Sequence, residues 1–93
     1  MHDWTLVSIL VDWIKGIVTI TFKNYESNQV KLTADGLINL HIPKHEEWGE
    51  SVSINEFIGP ILLSDGNYHL ELEIQSGDRI ELEAKSIKMP EAR

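Results

Sequence analysis

Apolar and polar positions alternate with a period of two along most of the chain, and short clusters of Gly, Asp, Asn and Ser interrupt the alternation. That period is the mark of a strand with one buried face. From Trp4 to Ile14, the residues Val7, Ile9, Val11 and Trp13 share one face, and Leu6, Ser8, Leu10, Asp12 and Ile14 share the other. Lys15-Gly16 then reads as a two-residue connection, with glycine supplying the positive φ that tight hairpins require. Pairing Ile14 with Ile17 sets Trp13 against Val18, Val11 against Ile20 and Ile9 against Phe22, so turn length and apolar pattern predict one register.

Val18, Ile20 and Phe22 continue the inward face, and Glu26-Ser27-Asn28-Gln29 forms a polar turn before Val30, Leu32 and Ala34 resume it. Asp35-Gly36-Leu37 is predicted as a three-residue loop that returns the chain with Ile38, Leu40 and Ile42 inward. A two-residue Asp-Gly turn would bury Asn39 and His41 instead, at about 1–3 kcal/mol each. Pro43 ends this fourth strand because it has no amide hydrogen to give a ladder. The stretch from His41 to Phe57 is the long break in the alternation. It combines a charged loop, Lys44 to Glu50, with an irregular, bulged strand from Val52 that Gly59-Pro60 turns into Ile61-Leu62-Leu63.

After the turn signal Ser64-Asp65-Gly66-Asn67 comes the most regular pair. Tyr68, Leu70, Leu72 and Ile74 alternate with polar residues, as do Ile80, Leu82 and Ala84. A three-residue loop, Ser76-Gly77-Asp78, places Gln75 opposite Arg79, Glu73 opposite Glu81, Glu71 opposite Glu83 and His69 opposite Lys85. No window carries helical spacing free of glycine, proline or β-branched runs, so little or no helix is expected. Residues 1–93 thus read as a single all-β domain of about seven antiparallel strands, a sandwich by preference or a partly open barrel. The predicted core comprises Ile9, Val11, Trp13, Val18, Ile20, Phe22, Leu32, Leu40, Leu70, Leu72, Ile74, Ile80 and Leu82.

Composition narrows the function more than it identifies it. The chain has no cysteine, which excludes disulfides, thiolate metal clusters and a cysteine nucleophile and makes a reducing cytoplasm the expected compartment. The start lacks the basic region of a signal peptide, and the apolar run Leu6 to Val11 is too short to span a bilayer. Fifteen acidic against eight basic residues give a net charge of -7, which argues against nucleic acid and anionic membranes as partners. A solvated acidic surface accounts for the charge by itself; a basic protein partner is the functional alternative.

Candidate chemistry is sparse. His41 and His45 have the spacing that puts two imidazoles on one ion in a helix, but Pro43 between them disfavours that helix, and an extended segment would separate them by about 13 Å. No nucleophile elbow or phosphate-binding glycine loop is present, so no enzyme and no cofactor are expected. Trp48, between Glu47 and Gly49, reads as a lid over an open end of the core or as a contact residue. Glu71, Glu73, Glu81 and Glu83 form an outward block on the last hairpin. Like charges opposite one another cost up to about 1 kcal/mol per pair, so the block is either relieved by Arg79 and Lys85 or covered by something basic. A solvated face that discourages edge aggregation is the simpler explanation.

His2-Asp3-Trp4-Thr5-Leu6 with Asp12-Trp13, and Trp48-Gly49-Glu50-Ser51-Val52-Ser53-Ile54-Asn55, resemble the marks of a group of small, mostly uncharacterised bacterial proteins. Some similar all-β proteins are immunity partners of polymorphic or contact-dependent toxins. The resemblance implies a bacterial cytoplasmic protein that binds and blocks a toxin domain, and carries over no functional residues. The expectation is therefore a non-catalytic, acidic protein-binding module, an immunity-type inhibitor of a basic toxin domain, acting as a monomer or an edge-paired homodimer. Its candidate contacts are Glu71, Glu73, Glu81, Glu83, Trp48 and His41. The alternative is a small-ligand or carbohydrate-binding sandwich with Trp48 and Trp4 lining a concave site.

Overall fold

The computed structural model describes residues 4–43, 52–75 and 77–90. Six strands form in order: β1 (Thr5–Asp12), β2 (Ile17–Lys23), β3 (Gln29–His41), β4 (Val52–Leu62), β5 (Tyr68–Ile74) and β6 (Arg79–Lys88). All pairs are antiparallel, and the sheet closes on itself in the order β1-β2-β3-β6-β5-β4. The all-β antiparallel class is as expected, and the described residues contain no helix. Of the two architectures weighed, the barrel is the one found. The preferred sandwich gives way because a single sheet wraps the core, closed at a short seam where Thr5 faces Ser53 and Leu6 faces Val52.

Six strands replace about seven because the chain does not reverse at Asp35-Gly36. β3 passes straight through, pairing first with β2 up to Asp35 and then with β6 from Thr33 to His41. Gly36 takes a positive φ of 67°, and a Cβ there would lie 2.8 Å from Lys85 Cβ, so glycine serves the approach of β6 rather than a hairpin. The register slips at Leu37/Asn39, which turns Leu37 and Leu40 toward Ala84 and Leu82. This bulge removes the burial penalty that motivated the predicted loop, since Asn39 and His41 face outward without any turn.

Both predicted hairpin registers move by two residues. Asp12, not Ile14, pairs with Ile17, so Val11 faces Val18 and Ile9 faces Ile20. The turn is Trp13 to Gly16, closed by Gly16 N–H donating to Asp12 O at 2.9 Å and Lys15 N–H to Asp12 Oδ1 at 3.1 Å. In the last hairpin Glu73 faces Arg79, Glu71 faces Glu81 and His69 faces Glu83. Ile74 and Asp78 close that turn, with Gly77 at φ 93° donating its N–H to Ile74 O at 2.9 Å. A three-residue hairpin loop places its left-handed residue last, so Gly77 must end the loop; the predicted length was right and its position one residue late.

The core follows from the alternation. Val18, Ile20 and Phe22 of β2, Leu32 and Ala34 of β3, Ile54 of β4, Leu70, Leu72 and Ile74 of β5, and Ile80, Leu82 and Ala84 of β6 are buried in one cluster with Trp4. Each large side chain among them contributes about 1.5–3 kcal/mol of transfer free energy. Trp4 packs on Phe22 and Phe57 with ring centroids 6.0 and 6.3 Å apart. Ile9 and Leu40 are only partly buried, and Val11 is 37% exposed. Trp13 is not core at all: the longer turn carries it out to 85% exposure.

Candidate functional site

Outward-facing positions of β3, β6 and β5 fall into three rows across the barrel wall. His41, Glu81 and Glu71 are register partners in one row; Asn39, Glu83 and His69 form the next; and Arg79 and Glu73, continued by Glu56 of β4, form the third. The rows exist because Leu70, Leu72, Ile80 and Leu82 alternate with these residues and point into the core. Side chains in the middle of the grid are crowded. Glu71 is 20% exposed and His69 26%, against 63% for His41 at the edge.

The block is relieved in part from within. Arg79 Nη1 lies 3.3 Å from Glu71 Oε2, and Arg79 Nη2 lies 3.2 Å from Glu73 Oε2. His69 Nε2 lies 3.2 Å from Glu71 Oε1, and His69 Nδ1 lies 4.0 Å from Glu83 Oε1. His41 Nδ1 lies 3.5 Å from Glu81 Oε2. The hydrogen bond from His69 holds the Glu71 carboxyl below the usual glutamate value; burial opposes this, and Arg79 reinforces it. Since Arg79 serves Glu71 and Glu73, Glu81 faces Glu71 with His41 as its nearby cation-capable neighbour.

A second feature borders this face. Val11, Trp13, Gly16, Leu37, Ile38, Asn39 and Leu40 line a groove of about 450 Å³ where β3 runs on past the tip of the β1–β2 hairpin. Leu37 N–H donates to Gly16 O at 2.9 Å and anchors the tip there. Trp13 and Ile14 project from the turn at 85% and 96% exposure, with Leu10 at 67% and Ile38 at 47%. Asn39 belongs to both features, lining the groove and facing Glu83 across the strands.

The structure therefore brings together Glu71, Glu73, Glu81, Glu83 and His41 on one face. Trp48 and His45 lie outside the described residues. Trp4 is 1% exposed, which removes it from any concave surface site, and Lys85 lies against Gly36 rather than opposite His69. Sequence reasoning names Arg79 as a charge that relieves the block but sets it opposite Gln75 rather than Glu73, and it misses His69 as a member of the cluster and Trp13 as a surface residue. The signal that would have placed both Arg79 and His69 was Gly77, whose left-handed position sets the register. Comparison with protein-family models, with curated proteins and with solved structures gives no match to this chain.

Proposed function

We propose that the protein is a non-catalytic protein-binding module that docks a basic partner through the apolar β1–β2 tip and the acidic face beside it. The observation that carries this reading is the exposure of Trp13 and Ile14 in a turn that does not need them. The turn is closed by groups of Asp12, Lys15 and Gly16, so neither large side chain has a part in its geometry. Exposed tryptophan beside a groove is the composition of an interface anchor, where a single buried aromatic is worth about 2 kcal/mol or more. Asn39 joins that anchor to the rows of Glu71, Glu73, Glu81 and Glu83, which supply attraction for a basic surface. A basic toxin domain, with this protein as its immunity-type inhibitor, is the partner class that fits this charge and the resemblance noted above.

The test begins with a partner isolated by affinity capture and continues with the purified pair. A Trp13→Ser/Ile14→Ser variant is expected to bind about thirtyfold more weakly. Replacing the four glutamates by glutamine is expected to slow association at low salt. A partner bound equally well and equally fast by both variants would end the proposal.

The groove volume lies within the range of small-ligand sites, which favours a second reading. In it Trp13, rather than Trp4, forms the platform for a sugar or similar ligand. Tryptophan fluorescence that shifts with small sugars and is indifferent to salt would favour this reading over the first.

A further inference from the structure

We propose that the outer face of β3, β6 and β5 carries a site for one divalent ion of the zinc class, held by His69 Nε2, one carboxylate oxygen each of Glu71 and Glu81, and His41. The proposal does not rest on the docking reading.

The donor atoms of His69, Glu71 and Glu81 all lie within 4.8 Å of one another. Two ligands at about 2.0–2.1 Å from a tetrahedral zinc are about 3.3 Å apart. The His69 Nε2 to Glu71 Oε1 separation of 3.2 Å and the His41 Nδ1 to Glu81 Oε2 separation of 3.5 Å already match that edge length. Three donors from β5 and β6 are thus gathered, and His41 of β3 stands beside one of them, Glu81. Completing the shell asks for a side-chain movement by His41, which lies outside the three-residue group and is 63% exposed.

Three further relationships favour an ion over a closed set of hydrogen bonds. Glu71 and Glu81 face each other directly across β5 and β6, and Arg79 is engaged with Glu71 and Glu73, so a dication between the two carboxylates would compensate the remaining like-charge contact. Arg79 contacts Oε2 of Glu71, which leaves Oε1 on the side of His69. Glu83 Oε1 stands 4.0 Å from Nδ1 of His69, too far for a hydrogen bond but placed to accept one once an ion takes the Nε2 position now hydrogen-bonded to Glu71. Two imidazoles with two carboxylates suit zinc and its neighbours; calcium and magnesium take six or more oxygens or near-octahedral oxygen shells.

Titration calorimetry of the intact chain with ZnCl2 in a non-chelating buffer at pH 7.4 tests the site. One equivalent is expected to bind, His69→Gln and Glu81→Gln are each expected to weaken it by at least about tenfold, and Glu83→Gln by about tenfold through loss of His69 orientation. Circular dichroism of each variant confirms that the barrel is retained. A second measurement needs no variant: ring-proton NMR of the unaltered protein should show His41 and His69 shifting together on zinc addition. Absence of zinc binding, zinc binding unchanged in His69→Gln, calcium bound as tightly as zinc, or zinc shifts that spare both His41 and His69 would each overturn the proposal.

Discussion

Ser27 occupies, at φ 62°, the same turn position that Gly66 occupies at φ 88° in the β4–β5 hairpin. In both turns the residue donates its N–H three positions back, Ser27 to Asn24 O and Gly66 to Leu63 O, each at 3.0 Å. Pairs Asn24/Asn28 and Leu63/Asn67 then close the loops by N–H···O contacts of 3.0 and 2.8 Å. A side chain in the left-handed region costs about 1–2 kcal/mol that glycine does not incur, partly offset by glycine's greater unfolded entropy. Ser27→Gly is therefore expected to stabilise the protein by about 0.5–1 kcal/mol, raising the melting temperature by a few degrees. A lowered melting temperature would show that Ser27 makes a compensating contact.

The same turn logic explains what was legible in the sequence and what was not. The face of each strand was readable at Val18, Ile20, Phe22, Leu70, Leu72 and Ile80, because a period of two separates the faces wherever one of them is buried. The register was not, since sliding a partner by two residues keeps every apolar side chain on its own face. Trp13 was assigned to the core and Glu73 to a place opposite Glu81 for that reason. Asp35-Gly36 failed differently: an Asp-Gly pair signals a hairpin, yet here the glycine admits Lys85 of a strand far along the chain, a contact that no local pattern announces. The acidic face was legible residue by residue, as was Arg79 as a charge that relieves it; the pairing through His69, and Glu71 and Glu73 as the carboxylates that Arg79 meets, were not.

Leu72 and Trp13 separate core from surface most clearly. Leu72 is fully buried, so Leu72→Ala should cost about 2–5 kcal/mol in urea unfolding. Trp13→Ser, at a position 85% exposed, should change stability by no more than about 0.5 kcal/mol. A large loss from the second substitution would mean that the β1–β2 turn is packed rather than projecting.

Gly59 takes φ 103° where β4 passes β5, and a Cβ there would lie 2.7 Å from the backbone oxygen of His69 and 2.9 Å from Ile61 N. Neither neighbour is the movable end of a side chain. Gly59→Ala should cost about 1–3 kcal/mol from the backbone conformation, before the displacement of His69 is counted. The amide resonance of His69 should move as well, and a variant with unaltered stability would contradict the close approach.

Asp65 provides a pH signature. The backbone N–H of Asn67, 3.0 Å from Asp65 Oδ1, holds this carboxyl below the usual aspartate value. A depressed carboxylate contributes stability that is present above its unfolded value and lost as pH falls through the lowered folded value. Asp65→Asn keeps an acceptor for Asn67 and cannot titrate. The stability difference between the two proteins, measured by denaturant unfolding from pH 7 to pH 3, should therefore shrink on the acid side. A difference that stays constant over that span would show that the Asn67 contact does not depend on charge.

Glu73 and Glu81 make the register itself testable. In the observed pairing Glu73 faces Arg79 and meets its guanidinium, whereas Glu81 faces Glu71 across the hairpin. Removing the charge of Glu81 relieves a repulsion worth up to about 1 kcal/mol, so Glu81→Gln should hold or raise stability at low salt. Glu73→Gln gives up an ion pair whose arginine is 51% exposed, and should lower stability by no more than about 1 kcal/mol after screening. The slipped register would set Glu73 against Glu81 and predict the same gain from either substitution. A loss from Glu73→Gln with no loss from Glu81→Gln at low ionic strength, the two converging as salt is raised, is what the structure requires. Equal gains would return the hairpin to the slipped pairing, and with it would go the row that places His41, Glu81 and Glu71 side by side.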